Sequence, residues 1–277
     1  MISSMKLVFS MLGIVSVLMA QGGRPQMPEG LKQAVQLDLA GDYAGARSLI
    51  QREIDSAATP LLKANAQRIM AMSYAFERNC AKTVEYEMLV MAYWATREKE
   101  EPKNAFYQQG EMANEAARVC IDSGDLNAAE KWYAKGTELG LKEPEISSDR
   151  KALWEFRLEN AKARIAARRG KKDLAEKHVA LAKAALEKMT DLRKQQDPFM
   201  PYLTGYVALY LGDAAKALVE FEKANQNDAF ILCLKAEALE KLGRKDEAME
   251  LYKKAGANRG HNPPAAYAVP LARKKLG

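Results

Sequence analysis

Three sets of residues in this sequence could do chemistry at a surface. Asparagine precedes arginine by three or four residues at Asn65–Arg68, Asn114–Arg118 and Asn160–Arg164, with Arg157 and Arg168 flanking the last pair. On a helix, residues at that spacing share one face. Asparagine amides can hold a peptide backbone, and arginine can grip a carboxylate through two parallel hydrogen bonds. Tyr202, Tyr206 and Tyr210 recur every fourth residue. They offer rigid, amphipathic contact area. Together these positions suit an acidic or carboxylate-ended segment of another protein. The plainer alternative is a solvated helix face, with the tyrosines packed between helices.

Catalytic chemistry finds little support. The only histidines, His178 and His261, have no second ligand at helical spacing, so no metal site is expected. His178 is placed on the solvated side of its helix and His261 in a turn. No nucleophile elbow, zinc-protease motif or dinucleotide fingerprint occurs, and Gly170-Lys171-Lys172 lacks the rest of a phosphate loop. Pairs such as Glu85 and Glu87 read as surface charge on helices and not as an acid–base couple. The chain therefore reads as a non-enzyme without cofactors. Its net charge of +6 permits an acidic partner without demanding one. Arg164, Arg168, Arg169, Lys171 and Lys172 form a basic patch, but acidic residues are interspersed throughout and nucleic acid is not expected.

The elements that must position these residues are legible in a repeat. Gly41, Gly124, Gly170, Gly212 and Gly243 are each followed five residues later by alanine: Ala46, Ala129, Ala175, Ala217 and Ala248. Four residues on stand Ile50, Tyr133, Val179, Phe221 and Tyr252. Seven residues before each glycine stand Ala34, Ala117, Ala163, Gly205 and Ala236. Glycine ends a helix because a residue without Cβ tolerates the left-handed conformation. Asp42, Asp125 and Asp213 then cap the next helix. The small residues let the two helices approach closely. A degenerate unit turns at Arg78-Asn79-Cys80, with Ala71 and Tyr74 before it and Thr83 and Tyr86 after.

On these motifs, and most closely on Gly243 through Ala255 and Gly124 through Gly136, the chain resembles the tetratricopeptide repeat family, whose unit is a helix-turn-helix of about 34 residues. The glycines are unevenly spaced, so several units depart from that length. Pro60, Pro102 and Pro144 each precede a first helix. The resemblance implies an all-α, right-handed solenoid of about six hairpins over residues 27–262, with residues 263–277 as a helix capping the open end. It also implies a concave face of first helices that binds peptides or helices of partner proteins. The repeat phase would present Asn65, Arg68, Met72 and Phe76 there, then Glu111, Asn114 and Arg118, then Arg157, Asn160, Arg164 and Arg168, then Phe199, Tyr202, Tyr206 and Tyr210.

Two further readings concern compartment. Residues 1–22 carry Lys6, an apolar stretch from Leu7 to Met19 and a small-residue boundary, which match a secretory signal. The expected location is exported, periplasmic or secreted. The alternative is an uncleaved anchor that tethers an envelope assembly factor to the membrane. Of three cysteines, Cys80 falls at a turn and Cys120 near the end of the following first helix, so the two could pair in an oxidising compartment. They could equally be buried free thiols, the role expected for Cys233. The function expected is a non-catalytic protein–protein interaction module or scaffold.

Overall fold

The computed structural model describes residues 27–277; the leader expected at 1–22 lies outside them. The described residues are all-α: thirteen helices and one single turn, packed in sequence-adjacent pairs consistent with a helical repeat. Six hairpins follow one another. They are α1 (Glu29–Ala40) with α2 (Tyr43–Asp55), α3 (Pro60–Phe76) with α4 (Cys80–Ala95), α5 (Pro102–Ser123) with α6 (Leu126–Gly140), and α7 (Ser148–Arg168) with α8 (Lys172–Glu187). The single turn α9 (Arg193–Gln196) leads to α10 (Phe199–Tyr210) with α11 (Ala214–Lys223), α12 (Ala229–Lys241) with α13 (Lys245–Gly256), and a last helix, α14 (Pro263–Leu276).

The local chemistry explains the turns. Gly41, Gly124, Gly170, Gly212 and Gly243 all have positive φ, and Arg78 takes the same role with φ 55°. Asp42, Asn79, Asp125 and Asp213 each accept a hydrogen bond from a backbone N–H in the first turn of the helix that follows. Pro60 and Pro102 open α3 and α5, where a missing N–H costs nothing. Pro144 does not open α7; Ser147 caps it instead. The alanines of the repeat, Ala46, Ala129, Ala175, Ala217 and Ala248, are fully buried between paired helices. At Gly140 a Cβ would lie 2.0 Å from the Trp154 indole, so the bare backbone is what admits that ring between α6 and α7.

α14 does not cap an open end. It packs on α12 and α13 and also on α3, joining the last hairpin to the second. Ala265, Ala266 and Val269 bury Met72, Phe76 and Ala75 in one cluster. Just ahead of it, His261 Nε2 bonds to the buried Asp38 carboxylate at 2.8 Å, and Ser73 Oγ donates to the same carboxylate at 2.8 Å. Arg273 donates to the Leu39 carbonyl near the end of α1. The two ends of the array thus meet. Met72 and Phe76, expected on an open binding face, are core residues because α14 lies over them.

Cys80 and Cys120 form a disulfide with their Cα atoms 4.7 Å apart, tying the start of α4 to the end of α5. Cys233 is a buried free thiol. The disulfide is compatible with an oxidising, exported compartment. No helix among the described residues is long and apolar enough to cross a membrane.

Candidate functional site

The inner ends of α5, α7 and α10 carry the residues of interest, and the helical spacing that aligned them in sequence aligns them in space. A cavity of about 340 Å³ lies between α5 and α7. α5 supplies Glu111, Asn114, Glu115 and Arg118, and α7 supplies Phe156, Arg157, Asn160 and Arg164. Gln195 and Gln196 of α9, Phe199 and Tyr202 of α10, Tyr133 of α6 and Pro263 of α14 complete the wall. Of the expected binding residues, Asn114, Arg118, Arg157, Asn160, Arg164 and Tyr202 therefore meet at one cavity.

The others lie elsewhere. Asn65 is exposed on α3, away from the cavity. Arg68 reaches over to grip Glu115, with Nε donating at 3.1 Å and a second N–H to the other oxygen. Tyr206 is fully buried and Tyr210 partly so, behind the cavity rather than in it. Arg168 stacks over Tyr210 at 4.6 Å. Asn160 and Arg164 were expected to face outward but are only 7% and 4% exposed, because α10 packs against α7. His178 is not on a solvated face either; its ring Nδ1 lies 2.5 Å from Glu159.

The charges around the cavity fall into two groups. Arg68 and Arg157 are ion-paired, to Glu115 and Glu111. Among the described residues, Arg118, Arg164 and Arg168 have no ion-pair partner. Each lies instead against aromatic rings: Arg118 over Phe230 at 4.8 Å, and Arg164 among Tyr133, Tyr202 and Tyr206 at 5.6–5.9 Å. Arg164 donates one hydrogen bond, to the Tyr133 hydroxyl at 2.8 Å. The Nε groups of Arg118 and Arg164 are buried and make no hydrogen bond within the protein. Burial raises the pKa of Tyr202, Tyr206 and Tyr210, so these phenols stay neutral and cannot offset the arginine charge.

One acid faces this group. Asp122 lies one helical turn beyond Arg118 and is 8% exposed. Burial pushes its pKa up to about 6 against the pull of Arg118, Arg164, Arg168 and Arg78. One carboxylate among several guanidiniums leaves the centre positive. Sequence reasoning passed over Asp122, although its spacing from Arg118 places both on one face. It also passed over Glu115, Tyr133 and Phe156, which reach the cavity only because neighbouring helices converge there.

The basic run splits at the end of α7. Arg164 and Arg168 turn inward, while Arg169 pairs outward with Glu130 and Asn127. Among the described residues, no group of three or more His, Cys, Asp or Glu side chains is placed to hold a metal ion. What the arrangement can do is hold an anion: buried, cationic donors with free N–H groups stand beside amides and aromatic walls. A scan of family models matches no family, and a search of curated proteins finds no similar chain.

Proposed function

We propose that this protein is a non-catalytic interaction module of an exported compartment, a tetratricopeptide-like solenoid whose ends meet. It holds a partner protein through an acidic or carboxylate-ended segment inserted between α5 and α7. The observation that carries this reading is the pair Arg118 and Arg164. Both line the cavity, neither has a carboxylate partner, and each keeps a buried Nε–H unsatisfied. Leaving a buried charge without a counter-charge costs stability. An incoming carboxylate would offset that cost with charge-assisted hydrogen bonds.

The size of the cavity sharpens the expectation. α14 covers α3 at Met72 and Phe76, so those positions are closed to a partner. About 340 Å³ suits a chain end or one or two acidic side chains rather than an extended segment. The aromatic walls, Phe156, Phe199 and Tyr202, would pack an apolar neighbour of the carboxylate.

The test is a crosslinking pull-down from the envelope of the producing cell, comparing wild type with Arg118→Glu and with the Arg118→Met/Arg164→Met double variant. A partner lost from both variants, whose acidic segment then binds as a synthetic peptide, supports the reading. An unchanged set of partners contradicts it.

A further inference from the structure

Glu87 breaks the repeat. Arg78 occupies the turn position of the second hairpin, and Thr83 follows five residues later where the other hairpins have alanine. Four residues on, where Ile50, Tyr133, Val179, Phe221 and Tyr252 stand, this hairpin has Glu87. Read as surface charge from its type, Glu87 stands instead at the interface position of the repeat, and the structure buries it: it is 1% exposed. Both of its carboxylate oxygens are buried without a hydrogen-bond partner. A buried acid at a position built for an apolar side chain lowers stability unless it is neutral or serves some other purpose.

Its surroundings give the purpose. The charges that act on Glu87 are Arg68 from α3 and Glu115 from α5, and Glu111 also acts on Arg68. Glu115 lines the cavity, and Arg68 covers its charge with two N–H groups. Arg68 is bonded to Glu115 in the cavity wall, and its charge also acts on Glu87 behind it.

We propose that Glu87 holds a proton in the resting protein and that its ionisation controls the charge of the cavity wall through Arg68. While Glu87 is neutral, Arg68 belongs to Glu115 and the wall accepts an anion at Arg118 and Arg164. When Glu87 gives its proton to solvent, Arg68 is divided between two carboxylates. Glu115 then shows negative charge to the cavity and anion affinity falls. The coupling is reciprocal: a bound anion holds the proton on Glu87 more tightly. Burial and the nearby Glu115 both push Glu87 well above the usual carboxylate range, so the fold favours its neutral form. This inference rests on the anion-site reading proposed above.

Two measurements on the full chain test it. The first is denaturant unfolding of wild type, Glu87→Gln and Glu87→Leu between about pH 5 and about pH 9. The folded wild type keeps a proton that the unfolded chain loses, so the advantage of both variants grows with pH. The folding equilibrium changes by up to about tenfold per pH unit until Glu87 ionises. A constant difference across that range overturns the proton assignment. The second is calorimetric binding of tri-glutamate with a free C terminus. Measurement above about pH 7 avoids Asp122, whose pKa is about 6. Wild-type affinity is expected to fall at least about fivefold across the pH interval in which the unfolding series shows Glu87 ionising, and Glu87→Gln to show no such fall. The same slope in both proteins overturns the control. No binding at any pH overturns the anion site itself, and the unfolding series still decides separately whether Glu87 holds the proton.

Discussion

Arginines in the seams between hairpins and arginines at the centre are treated differently by this fold. In the seams, Arg47 pairs with Glu77, Arg157 with Glu111, and Arg169 with Glu130, each linking one hairpin to the next. At the centre, Arg118, Arg164 and Arg168 sit against phenyl and phenol rings around the single carboxylate of Asp122. A seam arginine has its charge neutralised within the fold, so the fold alone accounts for it. A central arginine keeps its charge uncovered in a buried place. Cation–π contact recovers only part of the lost hydration. On the function proposed above, the contrast separates seams that serve stability from a centre that serves an incoming anion.

The contrast can be broken most strongly at the helix that carries it. Cys120 lies between Arg118 and Asp122 on α5, tied to Cys80 of α4. Cys80→Ser with Cys120→Ser is expected to cost about 2–4 kcal/mol in denaturant unfolding and to weaken anion binding as well. Loss of stability with binding intact would show that the disulfide serves the fold alone.

Next comes a seam residue. Arg157→Met strands Glu111, and both side chains are about a quarter exposed. The expected cost is about 2 kcal/mol by chemical denaturation. An unchanged midpoint would remove the distinction between seam and centre.

Asp122→Asn sharpens the comparison through pH. Because the folded chain keeps the Asp122 proton up to about pH 6 while the unfolded chain loses it near its ordinary value, wild-type stability falls as pH rises through that interval. The variant is therefore expected to be more stable than wild type by about 1–2 kcal/mol above about pH 6, and equal to it below about pH 4. A variant less stable at neutral pH would mean that Asp122 is the counter-ion the centre needs.

Much of the frame could be read from the chain. The glycines with positive φ, the aspartate caps and the buried alanines follow from backbone sterics and close helix approach, which act over a few residues. The alignment of Asn114, Arg118, Asn160 and Arg164 was legible for the same reason. The closure was not. His261 meets Asp38, and Val269 covers Met72, through contacts between distant parts of the chain that no local period encodes. That closure buried Met72 and Phe76, while packing of α10 on α7 buried Asn160 and Arg164. Glu87 was misread: beside Glu85 its charge passes for a solvated helix face, yet it is buried, because α3 and α5 converge on α4.

The most direct measurement pairs stability with binding in one protein, the Arg118→Met/Arg164→Met double variant. Asp122 keeps Arg168 and Arg78 beside it, and below about pH 6 it holds its own proton, so the midpoint is read there; methionine fills similar space without a charge to desolvate. Its unfolding midpoint is predicted to equal or exceed that of wild type, while tri-glutamate binding falls by at least about tenfold. A midpoint lowered as far as that of Arg157→Met, with binding unchanged, would contradict the account: the central arginines would then be parts of the fold and not of a site.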